Sequence, residues 1–461
     1  MVSQAQEREF LPRRSVLLKN ILITPARIWH LYPLDVADAA PADRSRTEFI
    51  TIRMERKIQR KICAGAEETD KMIIRRLDQN DHGKTRPLWE EVFSEDTKEF
   101  LDYYYYIKTK DNQIYVVEED GQICSMLQLN PYRIKVEESE LQTSYIIAVA
   151  TKETYRGRGF MGALLRRSLN DMYAAKIPFT FLMPAAEAIY TPYDFRFIYS
   201  QCIASVDPFA ENLNNAEESS RTFSFTDAAL WNAEEMSAFF NRNFAAKWQV
   251  HVVRDTAYYQ TMIMEQQSER GGVRLIRDSG KLAGFYAYAA EDNLEIREPL
   301  YLPGYEAAFL QSVRELAASA DKRPKDKTEG TIKIFACPEY MADEKKPVIM
   351  ARIICLRELL KSMRVSEEDG VDCSFAVIDP LIRENSRIWR ITSCPGETRL
   401  NVCETEDSEG VLPIDVLTEL LFGRIGTDEL IGRENVIMPE HLAGELQKII
   451  KLTKIFLNEV V

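Results

Sequence analysis

Apolar residues recur along this chain in short runs of two spacings, and their order predicts its elements. From Met72 a strand-like MIIRRL leads into the helical patterns LWEEVF and TKEFLDYYYYIK. Two β-rich runs follow in QIYVVEEDGQICSMLQLNPYRI, and the Glu-Asp-Gly between them predicts a hairpin. A further strand, SYIIAVAT, feeds a glycine-arginine loop; helix GALLRRSLNDMYAAK and strand PFTFLMP come after it.

The same order returns more weakly. VRLIRDSGKLAGFYAYA, residues 273–289, repeats the hairpin with Asp-Ser-Gly at its turn, then GYEAAFLQSVRELAASA supplies a helix and TIKIFACP a strand. Between them REPLYLPGYEA stands where the glycine-arginine loop stood. It has one glycine and no RGRG, so the copy is expected to lack an anion cradle. DKRPKDKTEG, residues 321–330, reads as an exposed loop. From about residue 362 the pattern changes to strands DCSFAVID, RIWRITS and TRLNVCET, followed by the helical patterns DVLTELLFG and PEHLAGELQKIIKLTKIF. The fold class expected is therefore α/β (α+β) in three units, 72–205, 206–361 and 362–461. Residues 1–71 show no sustained period and read as a loosely ordered extension, or as sequence ahead of a true start at Met72.

Composition narrows the chemistry. The formal charge is −13; residues 1–71 carry 13 Lys or Arg against 10 Asp or Glu, so they are +3 and the remainder is −16. An acidic body disfavours phosphate backbones and attracts cations, so nucleic acid is not an expected partner. No run of about 18 apolar residues is present, so no membrane span is expected. Eight cysteines form no CxxC pair and only four histidines occur, so no metal site is expected. Cysteines set singly in apolar strands suit a reducing cytoplasm.

The loop itself, VATKETYRGRGFMGALLRR (149–167), admits two readings. Gly157, Gly159 and Gly162 spell GxGxxG, the dinucleotide fingerprint. In that fold the first glycine sits at the strand end and an acidic residue lies about 20 positions on. Here TKETYR intervenes, and position 177 is isoleucine. The other reading is a diphosphate cradle. Glycines let main-chain N–H groups turn inward, the following helix offers its positive end, and Arg156 and Arg158 add charge that reaches outer phosphate oxygens. That arrangement suits coenzyme A.

Arg156 to Met161 resembles the acyl-CoA motif R-x-x-G-x-G/A of the GNAT acetyltransferases, with Met161 departing at the last position. An apolar residue there is similar to the Eis (enhanced intracellular survival) branch. PAAEAIYTPYDFRFIY resembles that branch's Ile-Tyr segment, and LTELLFG near residue 417 its C-terminal domain. The resemblance covers roughly residues 72–461. It implies two tandem GNAT-type domains, the second degenerate, and a C-terminal sterol-carrier-protein-like domain. It also implies acetyl-CoA as acyl donor, a homo-oligomer (hexamer) and transfer to a primary amine of a small cationic substrate, aminoglycoside-like or lysine-type.

Site residues follow from that resemblance and the chemistry of thioester attack. Val149, Ala150 and Thr151 would run along the pantetheine arm, and Arg156, Gly157, Arg158, Gly159, Phe160, Met161 and Gly162 would hold the diphosphate. The family's general acid falls on Tyr190, although packing with Tyr193, Phe195 and Phe197 is the plainer alternative. The family's base is the terminal carboxylate, here Val461, with Glu459 as a local substitute. The apolar residues of KIFLNEVV would anchor the chain end in a cleft. Tyr103 to Tyr106 read as a packed helix end before an amine pocket, and the histidines as surface or packing residues. A non-catalytic binding protein for an apolar ligand is the competing class.

Overall fold

The computed structural model describes residues 72–208, 222–290, 293–318, 331–366 and 370–459. The expected loop at 321–330, the extension 1–71 and Val461 lie outside them.

Both hairpins form by the same local chemistry. Strands β2 (Gln113–Glu119) and β3 (Gln122–Val136) are joined by Asp120 and Gly121, both left-handed at φ 51° and 78°. Strands β9 (Gly272–Asp278) and β10 (Lys281–Ala289) are joined by Ser279 and Gly280 at φ 49° and 83°. Two positive φ values in succession define the tight turn whose twist matches that of its flanking strands.

Around each hairpin the units are parallel in layout. The first runs β1 (Ile73–Arg76), α1 (Arg86–Val92), α2 (Lys98–Tyr106), the hairpin, β4 (Ser139–Thr151), α3 (Phe160–Ala174), β5 (Phe179–Leu182), α4 (Glu187–Tyr190) and β6 (Arg196–Val206). The second runs β7 (Phe223–Asp227), α5 (Ala233–Asn243), β8 (Val250–Val252), α6 (Thr256–Ser268), its hairpin, β11 (Glu295–Tyr301), α7 (Glu306–Ala318), β12 (Ile332–Phe335) and β13 (Glu344–Ile353).

Their last strands are exchanged. The sheet order is β1-β2-β3-β4-β5-β13-β6-β12-β11-β10-β9-β7. Strand β13 lies between β5 and β6, while β6 lies between β13 and β12, all antiparallel. The exchange makes one continuous sheet with like ends.

The bulges repeat as well. Ala148 and Val149 together oppose Leu127, and Ala148 is left-handed at φ 52°. In the second unit Glu298 and Pro299 oppose Tyr286, and Glu298 has φ 50°. Two residues facing one break the ladder and turn main-chain groups out of it.

The third unit is a sheet of order β16-β15-β14-β17, from β14 (Val371–Ile378), β15 (Ile388–Ser393), β16 (Asn401–Glu404) and β17 (Gly410–Pro413). Helices α8 (Leu356–Ser362), α9 (Ile414–Leu421) and α10 (Glu440–Lys448) accompany it. Phe375, Trp389 and Phe422 share one buried cluster with Phe179, Phe181 and Ile353 of the large sheet, and Phe179 meets Phe422 edge-on at 5.2 Å.

One expected helix is corrected. PEHLAGELQKIIKLTKIF is helical only to Lys448. Ile449 bridges to Val365, and Ile455–Phe456 form β18, parallel to β8. A short apolar run at spacing three also suits an extended strand buried from several sides, as Ile449, Leu452, Ile455 and Leu457 are.

Candidate active site

Strands β4 and β5 pair only at Tyr145 and Phe181. Beyond that point they splay, and the rest of β4, with its bulge at Ala148, Val149, Ala150 and Thr151, runs along the opening. A left-handed alanine costs roughly 1–2 kcal/mol. Such strain in a well-packed strand marks a position where main-chain direction matters. Ser125 Oγ donates to the Ala150 carbonyl at 2.8 Å, tying the strand down on its other edge.

The glycine-arginine loop opens directly onto α3. Gly157 and Gly159 have φ of 79° and 80°, and a Cβ at either would meet only open space. Gly159 is the N-cap of α3 and offers no side chain, so the first-turn N–H groups face the loop uncapped. These features fit an anionic diphosphate. Arg156 Nε donates to the Thr151 carbonyl at 3.3 Å. Arg158 donates to both carboxylate oxygens of Glu119, at 2.8 and 2.5 Å, and lies 4.8 Å from the Phe160 ring centroid. Its charge is thus already paired, unlike that of an arginine extended toward phosphate. Phe160 is buried, Met161 half-buried, and a Cβ on Gly162 would come within 2.5 Å of Tyr193 Oη. That approach places the Tyr190 segment against the first turn of α3.

Tyr190 ends α4 and is 7% exposed. It belongs to one packed cluster with Ile146, Phe160, Leu164 and Leu182, against which Val149 and Met161 also pack. Phe195 meets it edge-on at 5.9 Å. Burial pushes its phenol well above the ordinary tyrosine range, and Tyr145 adds to this. A proton so held is a donor, not a base, at neutral pH.

Two buried arginines were missed in the sequence. Arg352 of β13 is fully buried; its Nε donates to the Tyr193 carbonyl at 2.9 Å, and its Nη2 donates to Asp379 at 2.6 Å and to Asp194 at 3.3 Å. It fastens the Tyr190 segment to a strand contributed by the second unit. Arg254, also fully buried, reaches Glu298 and Glu459. Neither stands in a motif; a charged residue within a strand-like run, as in VIMARIIC, is the signal available.

The last described residues line a cleft of about 390 Å³ between the two halves of the large sheet. Asp111, Asp255, Glu265, Glu298 and Glu459 line it, with the cations Lys108, Arg133 and Arg297. Asn458 accepts from Tyr199 Oη at 2.9 Å and Gln201 Nε2 at 3.2 Å. Burial raises the Glu459 carboxyl, with Arg254 opposing. Tyr190 is not on the cleft wall; Tyr132 is, and Tyr132 and Tyr145 both pack on Phe181, at 6.4 and 5.3 Å. Tyr103 and Tyr104 are buried helix residues, Tyr103 Oη donating to Glu265 at 3.2 Å.

Residues 73–198 match the family described as acetyltransferase (GNAT) domain, and residues 356–459 the sterol carrier protein domain. No curated protein sequence matches the chain. Among solved structures, a conserved Enterococcus faecalis V583 protein described as a probable N-acyltransferase is 18% identical at TM-score 0.69, covering 83% of this chain and 97% of its own. A GCN5-related N-acetyltransferase from Anabaena variabilis is 16% identical at 0.65, covering 83% and 98%. Eis1 from Mycobacterium abscessus is 13% identical at 0.59, covering 84% and 99%. These likenesses show a shared fold. Residues 73–198 thus form an acetyltransferase domain of the GNAT type, followed by a second unit of like layout and a C-terminal sterol carrier protein domain.

Proposed function

We propose that the chain transfers an acetyl group from acetyl-CoA to a primary amine of a small cationic molecule, aminoglycoside-like or lysine-type, by direct attack on the thioester. The observation that carries this reading is the strained bulge at Ala148 beside the β4–β5 splay, adjoining an uncapped glycine-rich helix start. Acetyl-CoA supplies the activated acyl group. Gly157 to Gly162 hold its diphosphate on main-chain N–H groups, and Val149 to Thr151 flank the arm that leads to the thioester. Tyr190 gives the departing thiolate its proton, and burial keeps the phenol protonated at neutral pH so that the proton is there to give. The carboxylate of Val461 takes the amine's proton. Five carboxylates against three cations line the cleft, and although Arg254 pairs with Glu298 and Glu459 and Arg133 with Asp255, the wall carries no excess of positive charge to repel a cationic acceptor. Assembly as a homohexamer rests on the family resemblance alone.

Isothermal titration with acetyl-CoA, followed by thiol release over a panel of amines, tests the reading. Absence of acetyl-CoA binding would sink it and favour an apolar-ligand carrier. Tyr190→Phe is expected to lower kcat by about a hundredfold or more with acetyl-CoA affinity unchanged. Unchanged turnover would remove the acid assignment.

A further inference from the structure

Glu298 occupies in the second unit the bulge position that Ala148 occupies in the first. The bulge at the mouth of the active splay is lined by a methyl group; its counterpart carries a carboxylate that is 6% exposed. Arg254, two residues past β8, donates to both oxygens of that carboxylate, through Nη1 and, at 2.8 Å, Nη2. Nη2 also donates to Glu459 Oε1 at 3.0 Å, and Tyr258 Oη donates to the same oxygen at 3.0 Å. Three rings surround the guanidinium carbon: Phe240 of α5 at 4.9 Å, Tyr258 of α6 at 4.9 Å and Phe456 of β18 at 4.6 Å. Phe456 in turn stacks on Trp248 at 5.0 Å. One residue of the second unit thus grips the tail by charge at Glu459 and by π face at Phe456.

A buried ionic cluster adds little net stability, because desolvation offsets most of the attraction; what it supplies is a fixed position. We propose that the second unit's bulge has become the anchor for the chain's end: Glu298 fixes Arg254, and Arg254 holds residues 455–459 at the cleft wall. Resting on the terminal carboxylate as base, this makes Arg254 and Glu298 positioning residues that touch no substrate. Glu459 is then an anchor point and not a proton acceptor.

The test uses the full chain, with kanamycin as amine probe and hydrogen exchange as a readout independent of turnover. Lysine is a single point charge that cannot fork between two carboxylates, so Arg254→Lys frees the tail, as does Glu298→Ala should the lysine variant fail to fold. Either is expected to speed amide exchange at 455–459 by about tenfold while α3 is unaffected, and to lower kcat by about tenfold with the KM for acetyl-CoA within about twofold. Glu459→Gln keeps an oxygen that accepts from Arg254 and Tyr258, so it should retain kcat to within about threefold where Glu459→Ala does not. Exchange at 455–459 unchanged in both Arg254→Lys and Glu298→Ala overturns the anchor, and so does Glu459→Gln as inactive as Glu459→Ala. Removing Val460 and Val461 separates the two ideas: undiminished kcat sinks the terminal base, while the exchange result still decides the anchor.

Discussion

Single residues here show how burial sets chemistry. Asp194 is left-handed and half-buried beside Arg352, and burial pushes its carboxyl up to about 6 from an ordinary 3.8, the arginine opposing. The folded chain therefore holds a proton there that the unfolded chain has lost between those values. Stability from this group falls as pH rises through that window. Asp194→Asn should accordingly gain on the natural chain between pH 4 and pH 7, by about 1–3 kcal/mol in denaturant titrations. A gain of equal size at pH 4 would contradict that account. Arg158 illustrates the opposite case, an exposed pair with Glu119. Acetyl-CoA must draw Arg158 away from Glu119 before it can reach phosphate, so Arg158→Ala should weaken acetyl-CoA binding only about two- to threefold by calorimetry. Its folding stability should move by less than about 1 kcal/mol, because an exposed ion pair contributes little.

Elements carry the next layer of constraint. Helix α3 presents Phe160, Leu164, Leu165, Leu169 and Met172 to the sheet, and its first turn is pressed by Tyr193 at Gly162. The methyl of Gly162→Ala would push aside the tip of Tyr193, three residues from Tyr190. A mobile tyrosine tip yields easily, so stability should fall by only about 1 kcal/mol. Turnover should fall several-fold more than that loss explains; comparing kcat with thermal midpoint checks it. The tail shows what periodicity leaves open: Ile449, Leu452 and Ile455 match a helical face, yet the segment is extended because β8 and Val365 offer it edges to pair with.

At the scale of the whole molecule, the exchange of β6 and β13 joins the first two units into one folding object. Without β13, residues 344–353, β5 keeps only its single pairing to β4, and β6 keeps only β12, a strand of the second unit. A chain ending after Val206 should therefore lack a cooperative unfolding transition by calorimetry and aggregate through the open edges of β5 and β6. A sharp transition in that fragment would show that the first unit is self-sufficient. The exchange also explains why Arg352, far along the chain, can fasten the segment that ends in Tyr190.

Local chemistry was legible in the sequence wherever it depends on near neighbours. The Asp-Gly and Ser-Gly turns, the glycines ahead of α3 and the repeated order of elements all declare themselves within a few residues, because turn geometry and helix starts are short-range; Tyr190 stood out only through the family resemblance. Tertiary structure alone decided which strand lies beside which, where the β4 bulge falls, and that Arg254 and Arg352 are buried among carboxylates. Those features come from groups far apart in the chain, Arg254 with Glu459 or Arg352 with Asp194, whose pairing becomes favourable only once folding has removed the water between them.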